Sequence, residues 1–585
     1  MKSFLKYLLA TITGIILSSI ILFLIFMGII SIIVSSQDKP VEIKAGTILT
    51  MKLDRQIVDR EPVLPFPLGS MGNQPIGLNE ILGCIEKAKT DDNIEGIHLD
   101  LSFIPAGIGT IEEIRNALLD FRSSGKFVTV HSDMLSQGAY YLATASDEIF
   151  LNPVGFFNLV GLRIQSAFFK KALDKLDIET YVIRHGEYKS AGEQFTTDRF
   201  SPENSEQMQR LISTIWDDIS AKIADSRGLS QGRINEIADK LMVKNPTSAY
   251  KLGLVDSLLY KEQVITWLKT KTGINASEDL RTIEISDYAK VPKHREYKGL
   301  AKDKIAVIYA SGNIVDGEGD DSSVGSDKFA KAIRNARKDS SVKAIVLRVN
   351  SPGGSGIASE NIWHELNLTR EAKPIIVSMG SLAASGGYYI SCMADSIFVQ
   401  PNTITGSIGV FSLFLNTQGF FNKFGITFDT EKTNANSDFM SGVRPPKPVE
   451  IAYWQEQVDS FYHLFVSRVD QHRALTYAEI DAVGKGRVWS GVDAIELGLA
   501  DKEGGLKDAI ESARVMAGLD EKYRIIELPV QENPIEKIIK EISQGTHIRL
   551  LKNSLGSDSE YLRIYQQVME SQGLMSRIPY DIEIY

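Results

Sequence analysis

The chain has 585 residues, with 64 Lys and Arg against 74 Asp and Glu, a net charge of −10 and 43% hydrophobic residues. That length suits one large or two medium globular domains, and mild acidity without a basic cluster argues against nucleic acid as the partner. The two cysteines, Cys84 and Cys392, exclude a disulfide framework; no Cys/His cluster has metal-ligand spacing, so neither a metal nor a cofactor is expected.

From Tyr7 to Gln37 there is no charge, and the apolar run to Val34 is long enough to cross a bilayer core of about 30 Å. Lys2 and Lys6 precede it, so the positive-inside bias predicts a cytoplasmic N-terminus and everything after Asp38 on the outer side. The run exceeds the about 7–15 apolar residues of a signal peptide, and Val34-Ser-Ser36 is a weak cleavage site. Residues 1–37 read as an uncleaved transmembrane anchor.

Pro62, Pro65, Pro67 and Pro75 mark residues 61–77 as an exposed loop. Strand-like runs then alternate with helical ones: Ile94–Leu101, a helix over Thr110–Arg122, Lys126–Asp133, and a helix beginning near Gly138. Such alternation predicts βαβ units and a largely parallel sheet. Met208, Leu211, Ile212, Ile215, Ile219 and Ile223 give residues 201–226 one apolar helical face. Residues 270–303 are polar without a clear period and read as a linker.

Beyond that linker the pattern repeats. Tyr140-Tyr141 matches Tyr388-Tyr389, and Asp147-Glu-Ile-Phe-Leu-Asn-Pro153 matches Asp395-Ser-Ile-Phe-Val-Gln-Pro401, both offset by 248. Ile97–Leu101 matches Ile345–Val349 at the same offset, and Leu252-Gly-Leu-Val-Asp256 matches Leu497-Gly-Leu-Ala-Asp501 at 245. The expected organisation is an anchor (1–37), an α/β repeat (45–265), a linker (266–303), a second α/β repeat (304–520) and an extension (521–585). Within the extension, an amphipathic helix is expected near Pro534–Ile542, and the end, Ile578–Tyr585, reads as a partner strand or a segment visiting a groove.

The candidate chemistry centres on Met379-Gly-Ser-Leu-Ala-Ala-Ser-Gly-Gly-Tyr-Tyr-Ile-Ser391. Pro374–Met379 reads as a strand and Tyr388 onward as a helix, with Ala383, Ala384, Gly386 and Gly387 making a tight turn between them. Ser385 on that turn would project its hydroxyl from a helix N-terminus, where exposed N–H groups favour developing negative charge. The bland alternative is a plain strand-to-helix turn. The repeat acts as a filter: 385 − 248 is Gln137, so the first copy lacks the hydroxyl. Conversely His185-Gly-Glu-Tyr-Lys-Ser-Ala-Gly192 places Lys189 among small residues, and 189 + 248 is Ser437. The two copies look like complementary halves of one site. His364 and His463 read as surface histidines.

These motifs, with Asn350-Ser-Pro-Gly-Gly-Ser355, Ala384-Ser-Gly-Gly-Tyr388, Thr405-Gly-Ser-Ile-Gly409 and Tyr188-Lys-Ser-Ala191, resemble the signal peptide peptidase A family, peptidase family S49, in its long tandem-repeat form. The resemblance runs from the anchor to about residue 520. It implies two tandem crotonase/Clp-like domains and a membrane-anchored Ser/Lys-dyad endopeptidase of the bacterial inner membrane, its catalytic part on the periplasmic side. Ser385 is then the nucleophile and Lys189 the general base. Cleaved signal peptides and other hydrophobic peptides are the implied substrates, and a homotetramer the implied assembly.

A lysine base must be desolvated to be neutral near pH 7. Ser407 or Ser190 would hold its amine, and the resemblance favours Ser407. Gly386 N–H follows the nucleophile, and the second oxyanion donor is expected from the Pro352-Gly353-Gly354 turn, at Gly353 in preference to Gly354. The first copy has Pro105-Ala-Gly107 there. An extended peptide is expected to add as a strand beside residues 350–355. Asp316–Asp321 reads as a solvated loop, not a calcium site, and Trp489 as a packing residue. An acyl-CoA enzyme on the same scaffold would not need the Ser/Lys pair, a non-catalytic membrane scaffold leaves that pair unexplained, and a Ser-His-Asp protease lacks a histidine soon after Ser385. Whether Lys189 meets Ser385 of its own chain or of a neighbour stays open.

Overall fold

The computed structural model describes residues 2–37, 43–62, 74–292, 301–531 and 574–577. The expected helix near Pro534–Ile542 and the end Ile578–Tyr585 lie outside these residues. An N-terminal helix, Lys2–Gln37, leads into the chain. Among the described residues no helix is long and apolar enough to cross a membrane.

Two sheets form the framework. The first runs in the order Ser257–Leu258, Glu148–Phe157, Phe127–Leu135, Ile94–Asp100, Thr47–Met51, Thr282–Glu284, all neighbours parallel. The second runs Val488–Ser490, Ile404–Gly406, Ile375–Ala384, Val342–Ser351, Lys304–Ser311, Arg524–Leu528. Its strands are parallel except Val488–Ser490 against Ile404–Gly406. The central strands are buried on both faces by helices, which is why Ile345–Val349 and Ile375–Met379 read as near-continuous apolar runs.

The sequence repeat reappears as repeated hydrogen bonds. Tyr140 donates its hydroxyl to Leu254 O at 2.9 Å, and Tyr388 donates to Leu499 O at 2.9 Å. Asp147 accepts from Val128 N as Asp395 accepts from Ile375 N, and Asp256 accepts from Ile149 N as Asp501 accepts from Ile397 N. Even a register irregularity recurs at the start of the paired strands, after Thr47 in one sheet and after Lys304 in the other.

Three expectations are corrected. Residues 266–303 are not simply a linker: a helix occupies Lys261–Thr272, and Thr282–Glu284 is the edge strand beside Thr47–Met51, with Ile283, Ile285 and Tyr288 buried. Arg524–Leu528 holds the matching edge of the second sheet beside Lys304–Ser311, beyond the expected end of that repeat at 520. Each edge strand needs only a few apolar contacts from one face, too short a signal for a period to register. Within 61–77, Ile76–Gly77 pairs with Ile57–Val58 and is buried.

The halves share a buried seam. The fully buried guanidinium of Arg348 lies 2.8 Å from Asp59 Oδ1 and 2.5 Å from Glu113 Oε1, both from the first half. Burial pushes the Glu113 carboxyl up, against the pull of Arg348. A third sheet crosses the seam in the order Ser323–Gly325, Asn313–Val315, Gly353–Ser355, Met575–Arg577, Phe411–Asn416, Glu179–Arg184. Its last pair is antiparallel and joins the two halves edge to edge. That sheet carries Gly353 and leads to Lys189, while Ser385 and Ser407 follow strands of the second sheet.

Candidate active site

Ser385 follows the strand Ile375–Ala384 directly and caps the four-residue helix Gly386–Tyr389. The expected turn is therefore tighter than the sequence suggests: Ala383 and Ala384 remain in the strand, paired with Thr405 and Gly406, and the helix begins at Gly386, not Tyr388. The whole change of direction falls on one residue, and Ser385 takes φ 55°, ψ −114°. A non-glycine residue in such a conformation costs on the order of 1–3 kcal/mol and is held by its surroundings. Here Ser385 N donates to Gly406 O at 2.8 Å and Tyr389 N closes onto Ser385 O at 2.8 Å.

Lys189 comes from the first half, just past the strand Glu179–Arg184. Its backbone is fixed from three sides. Arg184 donates to Lys189 O at 3.0 Å, Tyr188 N to Lys485 O at 3.2 Å, and Gln207 Nε2 to Tyr188 O at 3.0 Å. Gly486 presses against it so closely that a Cβ there would come within 2.5 Å of Lys189 Cα. The side chain is fully buried and reaches Ser385 Oγ at 2.8 Å, Ser407 Oγ at 3.0 Å and Ser407 O at 3.4 Å. Burial alone drives its pKa well below the ordinary lysine range. Both residues of the contact belong to one chain.

Of the two serines considered as amine partners, Ser407 is at hand and Ser190 is not engaged with it; the Ser190 hydroxyl accepts from Gln207 Nε2 at 3.2 Å. Ser407 also has positive φ, 50°, and donates its hydroxyl to Gly486 O at 3.3 Å. Gly353 has φ 93°, and a Cβ built on it would lie 2.6 Å from Gly386 N, so the two glycines face each other across a narrow gap. Gly354 instead backs onto Ile314, whose carbonyl a Cβ would meet at 2.0 Å. His364 and His463 are exposed, as is Ser437. Trp489 is buried and donates to Val483 O. Cys84 and Cys392 are buried, and among the described residues no group of acidic, histidine or cysteine side chains has the makings of a metal site.

Two participants were not singled out from the sequence. Gly486 forms the wall behind Lys189; the Lys-Gly pair 485–486 signals a turn but says nothing of what the turn touches. The other is Ser576, in a strand of three residues, Met575–Arg577, laid antiparallel between Gly353–Ser355 and Phe411–Asn416. Its hydroxyl is 2.8 Å from Ser385 Oγ.

The profile described as Peptidase family S49 matches residues 120–275 and 367–520. The chain is 34% identical to Protease 4 of Haemophilus influenzae, over 81% of this chain and 79% of that protein. It is 38% identical to Protease 4 of Salmonella typhi, over 80% and 78%. It is 30% identical to Serine protease SPPA, chloroplastic, of Arabidopsis thaliana, over 92% and 78%.

Proposed function

The chain belongs to peptidase family S49 and is a serine protease acting on peptides, and we propose that it works through a Ser385/Lys189 dyad assembled from its two halves. The observation that carries this reading is the 2.8 Å contact between Lys189 Nζ and Ser385 Oγ inside a fully buried pocket. A neutral amine has two N–H bonds and one lone pair. Ser407 Oγ and Ser407 O stand where they can accept the two N–H bonds, leaving the lone pair for the Ser385 hydroxyl.

Ser385 Oγ then attacks the peptide carbonyl while Lys189 takes its proton. The N–H groups of Gly386 and Gly353 receive the oxyanion, the latter turning from Ser351 Oγ, to which it donates at 3.2 Å. Lys189 returns the proton to the leaving amine, and a water repeats the sequence to release the acyl group. No metal or cofactor enters. The peptide lies extended against Gly353–Ser355, taking main-chain hydrogen bonds that do not depend on its sequence.

We further propose crotonase/Clp-like folds for both repeats, a homotetrameric assembly, and a bacterial inner-membrane location with the catalytic part on the periplasmic side. The uncharged stretch Tyr7–Gln37 supports anchoring, and the described side chains Ile12 to Leu22 on its helix are exposed. A site tethered near the outer leaflet suits cleaved signal peptides and other hydrophobic peptides leaving the membrane. The test is the full chain in detergent with a synthetic signal peptide, products read by mass spectrometry. Internal cleavage by wild type and none by Ser385→Ala or Lys189→Ala is expected; undiminished cleavage by Lys189→Ala would rule the dyad out.

A further inference from the structure

Gln207 lies in the second turn of the helix Pro202–Arg227, buried between the two halves. Its amide reaches both ways. Nε2 stands 3.0 Å from Tyr188 O and 3.2 Å from Ser190 Oγ, the residues on either side of Lys189. Oε1 accepts from Val488 N, in the second half, at 3.2 Å. Val488 pairs with Gly406, whose carbonyl accepts from Ser385 N at 2.8 Å, and the adjacent Arg487 O accepts from Ser407 N at 2.7 Å. One side chain therefore spans from the backbone that carries the lysine to the backbone that fixes both serines.

A primary amide suits that position, since it offers two N–H donors and an acceptor in one plane. A carboxylate would face Tyr188 O with no donor, and an ammonium would face Val488 N with no acceptor. The amide is itself held. Asn204 Oδ1 lies 3.0 Å from Gln207 Nε2, and Asn204 Nδ2 donates to Glu193 Oε2 at 2.8 Å. The buried Glu193 also accepts from Ser201 Oγ at 2.6 Å, which ties down the start of the helix.

The tandem copy does without this amide. Arg227 donates to Gly253 O and Asp256 as Arg473 donates to Gly498 O and Asp501, so the two long helices correspond at an offset of 246 (473 − 227). The counterpart of Gln207 is then Tyr453 (207 + 246), which is exposed. The copy that lacks the lysine also lacks the bridge, so the fold alone does not call for it.

We propose that Gln207 is a positioning residue for the Ser385/Lys189 pair, its amide setting the lysine against the two serines by bridging Tyr188 and Val488. The inference rests on the dyad reading above and extends it to the group that registers the two halves at the site. The bonds of the amide go to backbone, Ser190 and Asn204, not to Lys189 Nζ or Ser385 Oγ. Its loss therefore slows the chemical step and leaves peptide binding alone.

The experiment measures kcat and KM of the full chain in detergent on a fluorogenic signal peptide, each variant at its own optimal pH and with its urea midpoint. Gln207→Met removes both ends of the bridge. Gln207→Glu keeps the length and the acceptor for Val488 N but loses the donor to Tyr188 O. Each should lower kcat by about 10–10²-fold with KM little changed. Gln207 and Ser407 act on the placement of one amine, so the double variant Gln207→Met/Ser407→Ala should lose less than the product of the single losses, whereas independent losses multiply. Arg210→Met, which breaks a second bridge from this helix to the second half at Asp493, should leave kcat near wild type. Wild-type kcat in a folded Gln207 variant, a loss confined to KM, or losses that multiply overturns the inference. So does failure of both Gln207 variants to fold, which assigns the residue to stability alone. Lys189→Ala is run alongside: if it cleaves as well as wild type, the dyad reading fails and this inference with it; if it is inactive beside fast Gln207 variants, this inference alone falls.

Discussion

Lys189 Nζ and Ser385 Oγ stand 2.8 Å apart although 196 residues of chain separate them. Each comes from a different half, and neither half holds a copy of the other's contribution. A pair so placed makes sharp demands on each member. Ser385→Ala and Lys189→Ala should each lower kcat by roughly 10⁴–10⁶-fold, as removal of members of a nucleophile–base unit does. The double variant should be no worse than either single one. Rates on a fluorogenic peptide check both statements.

Ser407 touches Lys189 but not the reacting carbonyl, so its removal should spare binding. Ser407→Ala should lower kcat by roughly 10²-fold, the cost of a misplaced catalytic group, with KM little changed. A fall in KM of similar size would point to a different role for this hydroxyl.

Burial holds the Lys189 pKa below its ordinary range, and the base works only when neutral. Activity should be present above that lowered pKa and fall about tenfold per pH unit below it. Stability moves the same way. Between the lowered folded pKa and the unfolded value of about 10.4, the unfolded chain holds one more proton, so stability from this group rises with pH. Lys189→Met should remove that dependence and raise the urea midpoint at neutral pH, since an apolar side chain has no charge to give up on burial.

At Gly353 a Cβ would meet Ser576 O at 2.0 Å and Gly386 N at 2.6 Å, and φ 93° disfavours any residue but glycine. Gly353→Ala should cost about 10²–10³-fold in kcat, the scale of one lost oxyanion donor. Gly354→Ala should instead show as a loss of folding, because its Cβ would strike Ile314. Circular dichroism beside the rate assay separates the two.

Arg348 is shared between Asp59 and Glu113 in the seam, all three buried. Arg348→Met leaves two carboxylates without this cation and should destabilise by about 3–5 kcal/mol, read as a lowered urea midpoint. Peptidase activity should disappear with the fold and not before it.

Much of this site was legible in the sequence because tandem copies act as controls for each other. Gln137 opposite Ser385, and Ser437 opposite Lys189 by the same offset, reveal complementary loss without any knowledge of shape. What escaped was whatever depends on a few residues meeting at a distance. Thr282–Glu284 contributes Ile283 to a core and nothing more periodic than that. Met-Ser-Arg at 575–577 has no pattern that says strand; it becomes one only because two strand edges are waiting for it. The conformation of Ser385 was hidden for a different reason. Small neighbours permit a tight turn, but only the pairing of Ala384 with Gly406 shows that the turn must be completed within one residue.

The strand Glu179–Arg184, joined edge to edge with Phe411–Asn416, has a bearing on timing. During synthesis the first half emerges long before the second, and domains fold as they appear. Throughout that interval Lys189 lacks its proposed partner, since Ser385 follows it by 196 residues, Ser407 by 218 and the wall at Gly486 later still. A nascent chain that ends before Ser385 therefore lacks the proposed dyad. The order in which the polypeptide is made thus delays assembly of the proposed dyad until the second half has been synthesised.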